Sequence, residues 1–365
     1  MKSFLILISF LCGFKARAFP ENVRHGYFSC TACHVSPSGG GVLTLYGRSL
    51  SNELMSTWGS TKISGFLFSN PEDESKIQWL RQQIFFRGVQ TFRNTPKVEK
   101  AKFVPMQADY EVGADFEKFA IISTFGFRAN DSSQDLKEFF SRRHYALYRF
   151  TDQVVGRIGK FMQSFGLNGP DHVTATRRGL GWDQGSESYN LEMNYIGESF
   201  NQTLTLISNS PEEKSVKKDQ GVSLNSSYFW KNNSRLGLSA YQGRQSDFDR
   251  TVFGPYATIS ITEKLFLNTE VFLQDKTLKS DSSHQRGYAS FSRLGYEAVK
   301  GLTPFIQFDR SNLDNSDRNS QLDSYGVGAQ WLPYPHFDLM LFLGKEKSYM
   351  QETTDFGWLM FNIYL

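Results

Sequence analysis

The sequence predicts an all-β fold: an antiparallel transmembrane β-barrel of about sixteen strands, preceded by a small, mostly helical N-terminal module. Three observations predict it. From residue 80 onward, apolar side chains recur with period two over runs of about ten to thirteen residues, the length that crosses a bilayer at a tilt. The connections between these runs alternate short and long. Aromatic residues make up 15% of the chain and glycine occurs 30 times, yet mean hydropathy is only −0.41. That balance is expected where outward apolar and inward polar residues average out along each strand.

The chain opens with a leader. Met1-Lys2 is a short basic stretch, residues 3–14 are apolar, and Ala16-Arg17-Ala18 offers a cleavage pattern, so residues 1–18 read as a signal peptide. The apolar run is too short to span a bilayer. Cys12 lies within it, but Ser9-Phe10-Leu11 lacks the small residues that would mark a lipid-bearing cysteine. A formal charge of +3 on 365 residues argues against a nucleic-acid partner.

The other two cysteines fall in Cys30-Thr31-Ala32-Cys33-His34. This C-x-x-C-H spacing marks covalent attachment of a c-type haem: two thiols add to the vinyl groups, and the following histidine is the proximal iron ligand. A redox dithiol or half a zinc site shares the C-x-x-C spacing, but no second pair exists to complete a zinc site. Residues 19–79 therefore read as a haem module, and export suits it. Ser36-Pro37-Ser38-Gly39-Gly40-Gly41 breaks structure after His34. Leu43, Tyr46, Leu50, Leu54 and Trp58 then recur at helical spacing and predict an amphipathic helix ending before Gly59. A module this small needs a staple, which covalent haem supplies, and its core and cofactor pocket coincide. The sixth iron position stays open between His25, Met55, a barrel residue, and water or no ligand.

Residues 80–365 read as the barrel. In the second strand Met106, Ala108, Tyr110, Val112, Ala114 and Phe116 alternate with Gln107, Asp109, Glu111, Gly113, Asp115 and Glu117. The sixteen strands fall at 80–92, 104–117, 118–129, 139–151, 153–163, 186–199, 200–209, 218–231, 234–244, 250–262, 264–276, 284–298, 299–311, 321–333, 335–347 and 353–365. An even count puts both ends on the periplasmic side, with the short turns. The longest connection, 164–185, carries Phe165, Leu167 and Trp182, which need somewhere to pack, so it is expected to fold into the lumen. His172 within it reads as a hydrogen-bonded loop residue before a ligand. Asp309, Asp314, Asp317 and Asp323 match no calcium loop and read as a solvated face. Arg142, Arg143, Arg149 and Arg157 are candidate lumen charges that would tune ion selectivity.

A C-x-x-C-H module at the periplasmic end of a pore resembles the fused monohaem cytochrome–porins of the bacterial outer membrane, known from iron-oxidising bacteria. The resemblance in sequence rests on Cys30, Cys33 and His34. The lead-in His25-Gly26-Tyr27-Phe28-Ser29 departs from that of the iron oxidisers, so their electron donor is not carried over. The resemblance implies an electron-transfer protein of the outer membrane rather than an enzyme. Its one haem c would pass electrons between an extracellular donor or acceptor and a soluble periplasmic cytochrome or other carrier. A barrel's apolar band is about 25 Å tall, so the module is expected to plug the lumen and lift the haem. The alternatives are a porin whose haem plug senses or gates, and a small peroxidase with an open distal side.

Overall fold

A computed structural model describes residues 20–60, 79–95, 98–129, 136–169, 171, 173–182, 186–208, 219–230, 233–349 and 352–365. The signal-peptide reading with Cys12, the last part of the 19–79 module, and His172 lie outside the described residues.

Sixteen antiparallel strands close into one barrel: β1 (Leu80–Thr95), β2 (Val98–Asp115), β3 (Phe119–Ala129), β4 (Leu136–Arg149), β5 (Val154–Phe161), β6 (Ser188–Ile196), β7 (Phe200–Ser208) and β8 (Gln220–Trp230). They continue as β9 (Ser234–Arg244), β10 (Phe248–Ser260), β11 (Leu265–Leu278), β12 (His284–Tyr296), β13 (Leu302–Asn312), β14 (Gln321–Trp331), β15 (Phe337–Ser348) and β16 (Thr354–Tyr364). Each strand pairs with its sequence neighbours, and β1 closes on β16, with Arg87 opposite Asn362. The expected sixteen elements are all present. The largest boundary change is in the first hairpin, where pairing continues outward to Thr95 opposite Val98.

Burial is inverted relative to a soluble sandwich. On β2, Tyr110 is exposed on the outer wall while Gln107, Asp109 and Glu111 are buried toward the lumen. Leu238, Ile158, Val327 and Ile306 likewise point outward. An apolar outer belt over a polar interior is stable only where the surrounding solvent is lipid. Trp58 stacks against Trp331 and Tyr334, and Trp79 against Phe116, at the short-turn rim, where an aromatic girdle belongs.

The N-terminal segment sits at that same rim. The Arg24 guanidinium is 2.7 Å from the Glu297 carboxylate in the β12–β13 turn, and the Thr57 amide donates to the Leu332 carbonyl at 2.8 Å. The expected helix is shorter than its stripe. α1 spans Leu45–Leu50 and runs on as a π-helical turn, Ser51–Met55. Leu43 instead bridges to His34 in extended form, and Tyr46 and Trp58 face outward. Those two aromatics find partners elsewhere, Tyr46 in the Tyr27 hydroxyl at 2.9 Å and Trp58 in the rim. Among the described residues, Tyr27, Cys33 and Leu50 form a buried apolar cluster of the segment, with Ala32, Leu54 and Met55 packed against it.

The described residues of the 162–187 connection fold inward. Phe165, Leu167, Leu180 and Trp182 join Tyr241, Val252, Tyr256 and Phe272 of the wall in an apolar island inside the lumen. Its backbone polar groups are satisfied by the wall: the Leu167 amide donates to Glu270 Oε2 at 2.9 Å and the Gly166 amide to Ser239 Oγ at 2.9 Å.

Candidate cofactor cavity

The N-terminal segment forms a floor and the inward connection a roof, and between them the lumen narrows to a cavity of about 390 Å³. Cys30, Cys33 and His34 all line it. Local chemistry explains their presentation. Ser29 caps a single 3-10 turn, Cys30–Ala32, by accepting from the Thr31 amide, and the His34 amide closes the turn on the Cys30 carbonyl at 2.9 Å. Val35 then pairs with Val42 and the Thr44 amide returns to the Cys33 carbonyl at 2.9 Å, so residues 33–44 make a small hairpin. Its tip, Gly39-Gly40-Gly41, has φ of 82°, 70° and 72°, a run only glycine adopts without strain.

That tip reaches into the lumen. A Cβ on Gly41 would fall 2.7 Å from Glu111 Oε1. Arg157 donates to Ser36 Oγ at 2.8 Å and Ser38 Oγ at 2.7 Å, while pairing with Glu192 at 2.8 Å. Behind the motif, α1 presses on it through Gly47, where a Cβ would lie 2.3 Å from the Cys33 carbonyl oxygen. Gly47→Ala is therefore expected to push the motif from its seat, at an overpacking cost of about 1–3 kcal/mol. Amide hydrogen exchange over residues 30–50 should accelerate while strand protection stays unchanged.

The donor set fits the group that the motif implies. Both thiols are free rather than joined in a disulfide. Burial pushes the Cys33 thiol up to about 12 and lowers His34 to about 4, so the imidazole is held in the neutral form that binds a metal. His34 Nδ1 is buried without a hydrogen-bond partner. The cavity volume falls within the range of large-ligand pockets, about 300–1,000 Å³.

The remaining candidates sort by position. Met55 lines the cavity from the floor; His25 does not, its Nε2 lying 3.6 Å from Glu297 at the rim. Arg142, Arg143 and Arg157 line the cavity, but Arg149 turns to the rim and pairs with Asp115 at 2.9 Å, correcting its place among the lumen charges. The aspartates are not one solvated face. Asp309 is buried in the lumen, where it accepts the Ala175 amide at 3.1 Å, and Asp323 pairs with Arg310. Only Asp314 and Asp317 cap turns in the loop.

Sequence reasoning missed Arg87, Arg235 and Met162, all lining the cavity. It also missed His336, fully buried in the β14–β15 turn with neither ring nitrogen partnered, and lowered to about 3 by burial and by Arg48.

No protein-family model and no curated protein matches this chain. Solved structures do. OmpT of Vibrio cholerae, folded in vitro, is 10% identical, covers 80% of this chain and 99% of its own, and superposes with a TM-score of 0.61. An anion-selective porin from Comamonas acidovorans is 8% identical over 78% of this chain and 99% of its own, with a TM-score of 0.61. OprB of Pseudomonas putida is 8% identical over 79% and 94%, with a TM-score of 0.57. At such identities the likeness establishes the porin-like fold alone.

Proposed function

We propose that this chain is an outer-membrane electron-transfer protein that carries one covalent haem c inside a porin-like barrel. The observation that carries the reading is the convergence of Cys30, Cys33 and His34 on one cavity walled by the barrel. In this reading Cys30 and Cys33 anchor the cofactor and His34 ligates it, with Met55 and Met162 the thioethers that share the cavity. Haem supplies an iron centre that cycles between ferric and ferrous. The chain's residues do the rest. The 36–41 tip, held by Arg157 and Glu111, keeps the motif within the lumen rather than below it. Roof residues Leu167 and Trp182 exclude water from one side, and Trp182 is 5.2 Å from the Tyr241 ring, extending the apolar contact toward the far mouth. A centre within the lumen leaves less than the barrel's apolar height of about 25 Å to either face. The partners are then an external donor or acceptor and a soluble periplasmic carrier.

A second reading draws on the same plug: floor and roof together block the lumen, so the segment could gate a pore instead of conducting electrons. One experiment separates the two. In liposomes, an impermeant reductant is added outside and a soluble cytochrome is trapped within. Electron conduction reduces the trapped cytochrome through the wild-type chain and at least tenfold more slowly through His34→Ala. Gating predicts ion leakage with the trapped cytochrome left oxidised, an outcome that would sink the electron-transfer reading.

A further inference from the structure

We propose that Arg87 is the seat for a carboxylate of the bound cofactor, the propionate edge of the haem, at the end of the cavity remote from Cys30 and Cys33. This deepens the haem reading and rests on it.

Arg87 is 7% exposed on β1 and lines the cavity. Its Nε donates to Asn362 Oδ1 at 2.7 Å. Neither terminal nitrogen donates to any group among the described residues. Three other arginines that line the cavity are engaged by carboxylates: Arg142 by Asp109 at 2.9 Å, Arg143 by Glu111 at 2.9 Å and Arg157 by Glu192 at 2.8 Å. Arg87 instead has an open fork, the edge that takes a carboxylate with two parallel hydrogen bonds.

The fork is aimed. Asn362 Nδ2 donates to Asp338 Oδ2 at 3.0 Å, and Gln330 Nε2 donates to Asp338 Oδ1 at 3.1 Å. With its amide nitrogen committed to Asp338, Asn362 must turn its oxygen to Arg87. Asn362 is thus a positioning residue.

The two ends of the cavity differ. Arg87 is on β1 and Arg235, the charged neighbour of Cys30, is on β9, eight strands away in either direction round the closed barrel and so on the opposite wall; the charged groups near Arg87 are Asp338, Arg142, Asp171 and Asp109. On a haem, the vinyl carbons and the propionates occupy opposite edges of the macrocycle. Thiol attachment at the Cys30 end therefore directs the carboxylates toward the Arg87 end. Arg235, whose Nε and Nη2 are buried without partners, lies at the wrong end for this role and serves as the contrast.

The test is an optical redox titration of the intact haem-loaded protein between pH 5 and 8, on wild type, Arg87→Gln, Arg87→Lys and Arg235→Gln. Removing the cation favours the ferric state. Arg87→Gln is expected to shift the oxidised-to-reduced ratio about tenfold at pH 8, a midpoint lower by about 59 mV for one electron. The freed propionate, no longer held by a cation, should take up a proton within this range and make the potential rise as pH falls. Arg87→Lys should keep most of the wild-type potential, and Arg235→Gln should not create the pH dependence. If Arg87→Gln does not assemble, Asn362→Leu, which removes the aiming acceptor together with the hydrogen bond to Asp338, is read the same way with a smaller shift. A potential and pH profile superposable on wild type, or the same change produced by Arg235→Gln, would overturn the proposal while leaving the haem reading intact. Wild type purified without covalent haem would overturn both.

Discussion

Replacing Cys30 and Cys33 together by alanine is expected to abolish covalent haem while leaving a closed barrel. The two thiols are not structural. They form no disulfide, and the sixteen strands pair without any contribution from the segment that bears them. The segment is tied down by other groups: Arg24 to Glu297, Thr57 to Leu332, Arg48 to the Gln82 carbonyl at 2.6 Å and Ser51 to the His336 amide at 3.1 Å. The loss should therefore be complete in a denaturing-gel haem stain, where only thioether-bound haem survives. The heat-modifiable mobility of the folded barrel should be unchanged. A stain that persists in the double variant would refute the attachment chemistry at these positions. A barrel that fails to close would instead show that the cofactor organises the lumen.

How much of this was legible in sequence follows from the range of each interaction. The strands were legible because side-chain direction alternates locally: Gln107, Asp109 and Glu111 announce a lumen face without any knowledge of the partner strand. Cys30, Cys33 and His34 were legible because attachment requires one fixed spacing. Arg87 was not. Its own alternation, Gln83-Phe85-Arg87 inside against Ile84-Phe86-Gly88 outside, is blurred by the adjacent Phe85 and Phe86. Its meaning depends on Asn362 and Asp338, which only closure of the last strands on the first brings near. Arg149 was misplaced for a related reason. It lies on the same strand as Arg142 and Arg143, but at the strand's rim end, where the nearest acid is Asp115. The helical stripe misled because Tyr46 and Trp58 match its period while their partners, Tyr27 and Trp331, lie outside the helix.

The plug itself is open to test. Arg157→Leu is expected to release the 36–41 tip and raise ion conductance several-fold in planar bilayers. Arg157 joins tip to wall: it holds Ser36 and Ser38 and pairs with Glu192, with its guanidinium 3.7 Å above the Phe161 ring. Arg157 and Glu192 are almost fully buried, at 2% and 0% side-chain exposure. Removing one partner of such a pair leaves the other uncompensated, a loss of about 3–5 kcal/mol. Glu192 keeps hydrogen bonds from Asn194 at 3.0 Å and Thr205 at 3.1 Å, so the wall itself should hold. The strain falls on the tip, where the hydrogen bonds to both serines vanish with the guanidinium. Glu192→Gln supplies the control: it removes the charge but leaves Arg157 on the serines, and its conductance should stay near wild type. Should Arg157→Leu conduct no better than wild type, the rim contacts of Arg24 and Thr57 would be sufficient to hold the floor, and the tip would be cofactor scaffold rather than anchor.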